Sequence, residues 1–166
     1  MRTINFLMSL ALVTGCAFSM AAASKVVSYP APPQRYLSAD YTIRTNGIEV
    51  PVYRALTQHH DKKYSLAYFD FEGPVTVTIE STMPLDNLQI LPFSLGIKPK
   101  VKGRVATFTL QEPCDLSFEP CGQNSPLLLF TNSPADDTPN PSDPNVVYFG
   151  PGEHNPEGGL ISLTEG

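Results

Sequence analysis

The sequence predicts an all-β protein, an antiparallel sandwich of immunoglobulin-like type that leads into a second, repeat-like module. Three observations predict it. Seventeen prolines are spread over 166 residues, and an interior proline removes a helix hydrogen bond and clashes with the preceding turn. No stretch after residue 24 repeats its apolar residues at helical spacing. Strand-like runs bounded by Gly, Pro and Asn instead recur at intervals of roughly a dozen residues.

Taken in order, Tyr41–Thr45 and Ile48–Tyr53 flank Asn46-Gly47, and Asn-Gly supplies the two positive φ angles of a type I′ hairpin turn. Pro51 lies inside the second run and cannot donate to a ladder, so that strand belongs at an edge or carries a bulge. Lys63–Phe71 puts Ala67, Phe69 and Phe71 on one face, and Gly73-Pro74 turns the chain. Val75–Glu80 alternates, with Val75, Val77 and Ile79 inward and Thr76, Thr78 and Glu80 outward, the pattern of a sheet with one wet face. Leu88–Leu91 follows, then Ile97–Val101 and Arg104–Leu110 around a tight turn at Lys102-Gly103. Cys114–Phe118 and Leu127–Phe130 complete a set of about eight short antiparallel strands, which fits a two-sheet sandwich, with a small barrel as the alternative closure. Leu127-Leu-Leu-Phe130 is apolar throughout, so this strand is expected to be buried on both sides or covered by whatever follows.

Residues 132–145 read as a stiff linker, with Pro134, Pro139, Pro141 and Pro144 among Asp and Asn. Val146–Phe149 reads as a strand, Gly150-Pro-Gly152 as a turn, and Leu160-Ile-Ser-Leu163 as a new short strand. That is how a solenoid of strands begins. A lone rung has no neighbour against which to bury its apolar face, so the chain reads as the front of something longer.

The first 23 residues hold one charge, Arg2, then an apolar run over Phe6–Val13 and a small-residue patch at Ala21-Ala-Ala23. This is the layout of a secretory signal peptide cleaved between Ala23 and Ser24. The alternative is a lipobox at Val13-Thr-Gly-Cys16, in which Cys16 would be lipidated and tie the protein to the outer membrane. The first reading makes the protein periplasmic or extracellular, with membrane attachment only under the second. The expected layout is therefore a signal peptide over 1–23, a sandwich over 24–131, a linker over 132–145 and an incomplete second module over 146–166.

Loss of Arg2 takes the net charge from −5 to −6. There is no basic block or stripe, which argues against nucleic acid as a partner. If Cys16 leaves with the signal, Cys114 and Cys121 remain. In an oxidising compartment they form one disulfide or stay as two thiols, because the alternation Cys114, Leu116, Phe118 turns Cys114 toward the core.

Candidate chemistry is sparse. His59-His60-Asp61 is the one His cluster, and it reads as a polar loop, since adjacent His side chains point apart. Asp136-Asp137 resembles a carboxylate pair, but neighbours in a linker cannot flank a scissile bond at the roughly 5–9.5 Å separation that glycoside hydrolysis uses. Asp70 and Glu72 end a strand and are expected to face solvent. Glu153-His154 follows the Gly-Pro-Gly turn, as turn residues or as part of a cleft wall. Tyr29, Tyr36, Tyr41, Tyr53, Tyr64 and Tyr68 offer rings for a sugar-stacking platform or for core and rim packing, in a chain with no Trp. No catalytic, cofactor-binding or metal residue is assigned.

The segments Leu127-Leu-Leu-Phe-Thr-Asn-Ser-Pro134, Asp143-Pro-Asn-Val-Val-Tyr-Phe-Gly-Pro-Gly-Glu-His154 and Leu160-Ile-Ser-Leu163 together resemble the junction in secreted bacterial glycoside hydrolases of the polygalacturonase and dextranase kind. There an N-terminal β-sandwich precedes a right-handed parallel β-helix. The resemblance implies a parent protein that cleaves a polysaccharide by acid/base hydrolysis. It also implies that this chain is the non-catalytic cap on its solenoid, with that β-helix module as its partner. Family carboxylates sit on later turns, so none is carried over to a residue here. The rival expectation is a free-standing exported sandwich that binds a glycan or a cell-surface partner.

Overall fold

The computed structural model describes residues 24–55, 64–135, 139–150 and 153–161. The expectations placed on Cys16, on Ala23 and on the pairs at 59–61 and 136–137 lie outside these residues.

Among the described residues eleven strands form two sheets. The mixed sheet contains β1 (Lys25–Ser28), β4 (Tyr53–Ala55), β5 (Tyr64–Glu72), β7 (Gln89–Leu91), β10 (Leu116–Gln123) and β11 (Leu127–Asn132), in the order β1-β5-β11-β10-β7 with β4 also on β5. The antiparallel sheet runs β3 (Ile48–Val50), β2 (Tyr41–Thr45), β6 (Val75–Ser81), β9 (Val105–Leu110), β8 (Lys100–Lys102). Neither sheet closes on itself among the described residues.

One core joins the layers. Tyr41, Ile43, Val77, Ile79, Ala106 and Phe108 from the antiparallel sheet meet Ala67, Phe69, Phe71, Phe118, Leu127 and Leu129 from the mixed one. Tyr41 meets Phe118 edge-on across the gap, with ring centroids 6.0 Å apart at 87°. Each such side chain contributes about 1.5–3 kcal/mol on leaving water, and edge-on rings satisfy the positive rim and negative face of the aromatic quadrupole.

The alternation expected for Val75–Glu80 holds: Val75, Val77 and Ile79 are buried, Thr76 and Glu80 exposed. Asn46 and Gly47 carry φ of 48° and 83°, and Thr45 faces Ile48 directly, so the two-residue turn forms where the sequence places it. β3 is the edge strand that Pro51 demands, but it stops at Val50. Past Pro51 the chain crosses to the mixed sheet as β4, so one expected strand is two, in different layers. Gly73-Pro74 likewise joins β5 to β6 across the layers, not within a hairpin. The tight turn near Lys102 falls at Gly103-Arg104, with Lys102 paired to Val105.

Three further differences follow. β11 runs parallel to β5, Leu127 against Ser65 through Asn132 against Asp70, so the all-antiparallel immunoglobulin-type layout is not what forms. The long excursion through the other sheet returns the chain in the same direction. Within the segment read as a linker, residues 140–146 hold two tight turns, Asp143 N on Asn140 O and Val146 N on Asp143 O, both at 3.0 Å. Asn140 accepts from the Ser142 amide (3.0 Å) and Asp143 from the Asn145 amide (2.8 Å), the turn chemistry that Asn and Asp favour. Val146–Phe149 forms no strand, and among the described residues beyond it the one regular element is a 3-10 turn, Glu157–Gly159. The expected short strand at Leu160–Leu163 runs past residue 161 and so lies partly outside the described residues.

Candidate functional site: an aromatic cleft on the mixed sheet

β5 is nine residues long and pairs with two short strands in succession. Tyr53 of β4 lies opposite Leu66, and Ser28 of β1 lies opposite Phe69. This brings Tyr53, Tyr68 and Tyr29, which follows β1, into one row. The Tyr68 ring sits 5.3 Å from Tyr29 and 5.3 Å from Tyr53, nearly parallel to the latter at 21°. The Tyr53 and Tyr68 hydroxyls share a 2.9 Å hydrogen bond. The Tyr29 hydroxyl donates to Asp70.

Asp70 is thus not the solvent-facing carboxylate expected of a strand end. It is 8% exposed, because Tyr29 lies over it, whereas Glu72 two residues on is exposed. Donating to the Asp70 carboxylate pushes the Tyr29 phenol up to about 12, with burial adding to the hydrogen bond. Burial first, and the bond to Tyr68 second, also raise Tyr53. The Tyr29 and Tyr53 phenols therefore keep their protons near neutral pH and present hydroxyls, not charge.

Two walls rise beside this row. One is Pro30-Ala31-Pro32-Pro33, stiffened by fixed proline φ angles, and the 3-10 turn Gln34–Tyr36 that follows it, closed by the Tyr36 amide on Pro33 O at 2.9 Å. The other is Tyr148, Phe149, Gly150 and Glu153. His154 holds this wall, with Nε2 2.7 Å from Gly150 O and its ring edge-on to Phe149 at 5.6 Å. Arg35 lies over the Tyr36 ring at 4.7 Å and pairs with Glu153, tying the walls together. The cleft so enclosed holds about 730 Å³, within the ~300–1,000 Å³ of small-molecule sites.

Of the six tyrosines the sequence offers as a platform, Tyr29, Tyr36, Tyr53 and Tyr68 line this cleft. Tyr41 is in the core, its hydroxyl on Ser125 O, and burial raises its pKa. Tyr64, on the first residue of β5, does not line it. Tyr148 and Phe149 were missed, since they read as strand residues; the aromatics just before Gly150-Pro-Gly152 were the available signal. Glu153 does line the cleft.

Cys114 and Cys121 carry free thiols in this structure, half-buried and exposed respectively. Thr131 Oγ1 accepts from the Cys114 amide and donates to its carbonyl, both at 2.7 Å, and burial raises the Cys114 thiol pKa. Among the described residues no three His, Cys, Asp or Glu side chains gather as a metal site, and no helix is long and apolar enough to cross a membrane.

A second feature adjoins the cleft on the same outer face. Phe130, opposite Tyr68 in the parallel pair, is 40% exposed, and Phe93 is 71% exposed. With Leu91, Pro92, Leu116, Ser117 and Leu128 they border a shallow apolar groove.

No protein-family model and no curated protein matches the sequence. Among solved structures the chain is similar to Dex49A from Penicillium minioluteum, with a TM-score of 0.53 and 11% identity, over 76% of this chain and 36% of that one. The likeness is one of fold: an all-β, two-sheet chain that spans about a third (36%) of the length of the solved structure it resembles.

Proposed function

We propose that this chain is the non-catalytic accessory sandwich of an exported polysaccharide-degrading glycoside hydrolase, and that it caps a β-helix module carried by the same protein. The observation that carries this reading is the apolar outer face of the mixed sheet. A sandwich that stands alone keeps its outer faces wet, whereas Phe93 and Phe130 are exposed here beside Leu91 and Leu128. Contiguous apolar surface of this kind marks a place where another body docks. The likeness in fold to Dex49A, of whose length this chain covers 36%, supports the same reading. So does the run of residues 1–23, which has the layout of an export signal.

The test is to read the coding sequence beyond the Gly166 codon, purify its whole product and assay release of reducing ends from polysaccharides. Short apolar strands punctuated by Gly and Asn, together with hydrolysis, are the expected result. A stop codon at that position in an inactive product would end the proposal.

A further inference from the structure

We infer that the tyrosine cleft is a glycan-binding subsite, and that its ligand is a neutral polysaccharide of pyranose units rather than a uronic-acid polymer. The inference rests on the polysaccharide-related reading above, but it concerns a site that this chain holds by itself.

The ligand class follows from the lining. A pyranose has an apolar C–H face and a rim of hydroxyls. It therefore needs ring surface to stack on, together with donors and acceptors that carry no charge of their own. Tyr148 and Phe149 are 53% and 50% exposed, and so offer free ring surface in a chain that has no Trp to supply it. The row Tyr29–Tyr68–Tyr53 is locked by ring contacts and by two hydroxyl hydrogen bonds, so little further ordering is needed when a ligand settles on it. The proline-rich wall is rigid for a different reason, its fixed backbone.

Charge decides which glycan. Among the described residues Glu153 is the one carboxylate lining the cleft, and Asp70 lies beneath Tyr29. Arg35, beside the cleft, is already engaged by Glu153, and Arg54 donates to the Arg35 carbonyl at 2.9 Å. A carboxylated sugar would meet Glu153 and an arginine already paired to it, in a chain of net charge −5, and like charges at close range disfavour binding. A neutral chain meets no such penalty.

The experiment is affinity electrophoresis of the full chain through gels containing dextran, a soluble β-glucan or polygalacturonate, with Tyr148→Ala and Tyr29→Ala beside the parent. Tyr148 is half exposed, and its loss leaves the sandwich core untouched. A melting curve on each variant separates lost binding from lost fold. Retardation by at least one neutral glucan, none by polygalacturonate, and a roughly three- to tenfold weaker retention for both variants is the expected outcome. No retardation by either neutral glucan, retention unchanged in both variants, or preferential retention by polygalacturonate would each overturn the assignment. None of these results bears on whether a catalytic module follows Gly166, so the subsite and the accessory role fail separately.

Discussion

The two sheets share a core but turn very different faces to the outside. Along the three central strands of the antiparallel sheet the outward positions are Thr42, Arg44, Thr76, Thr78, Glu80, Val105, Thr107 and Thr109. Along the middle of the mixed sheet they are Leu66, Tyr68, Leu128 and Phe130, flanked by Tyr53 and Leu91, with Asp70, Ser117 and Glu119 as the polar positions beside them. Threonine satisfies strand propensity while leaving a hydroxyl for water, so the first face is finished as it stands. The second repeats the chemistry of the interior on the exterior. In the reading proposed above, the molecule would meet its β-helix module on the side where β4, β5 and β11 lie, not on the threonine side.

The strongest way to break the comparison is through what the sheets have in common. Phe118 is fully buried and touches Tyr41 of the opposite sheet, so Phe118→Ala is expected to cost about 3–5 kcal/mol in urea unfolding and to loosen both faces together. A loss below 1 kcal/mol would mean that the layers do not depend on this contact.

On the inner side of the threonine sheet, Thr45 is fully buried and its hydroxyl has no partner among the described residues. Thr45→Val should raise stability by about 1 kcal/mol, the saving on a polar atom left unpaired. Destabilisation in the same unfolding assay would point to a partner for that hydroxyl. The outer faces should respond in the opposite manner to the core. Phe130→Ser is expected to change stability by less than about 0.5 kcal/mol, yet to reduce self-association at high concentration as read by light scattering. Thr78→Leu, on the other sheet, should increase it. Equal behaviour of the two variants would erase the distinction between the faces.

The smallest expected effect is alkaline. The Tyr29 phenol is raised in the folded protein to about 12 from its usual 10. Its stabilising contribution is therefore complete below pH 10 and disappears as pH climbs through about 12. Tyr29→Phe should flatten part of that decline in melting temperature, and only part, because burial also raises Tyr41 and Tyr53 and because Tyr29 is 36% exposed. An identical decline in the variant would assign the effect to other groups.

Local chemistry was legible in the sequence and long-range geometry was not. Val75–Glu80 and Asn46-Gly47 are read correctly because alternation and turn preference act between near neighbours. Leu127–Phe130 was rightly singled out as apolar on both sides, although among the described residues nothing covers its outer half. β1 escaped notice as a four-residue run directly after the signal-like segment. The layer changes at Pro51 and Gly73, and the parallel pairing of β11 on β5, depend on where distant strands find room. The cleft is of that kind too. Tyr29, Tyr53 and Tyr68 are scattered in sequence, and they converge only because β1 and β4 divide one long strand between them.

That convergence has a consequence for how the chain comes off the ribosome. One wall of the cleft is made before the first core strand and the other after the last, and the ion pair that ties them spans 118 residues. The sandwich has all its strands once residue 132 has emerged, while the cleft must wait for Tyr148 and Glu153. A nascent or clipped chain can therefore hold the whole described core with only half of the cleft, so the cleft records whether synthesis has passed Glu153.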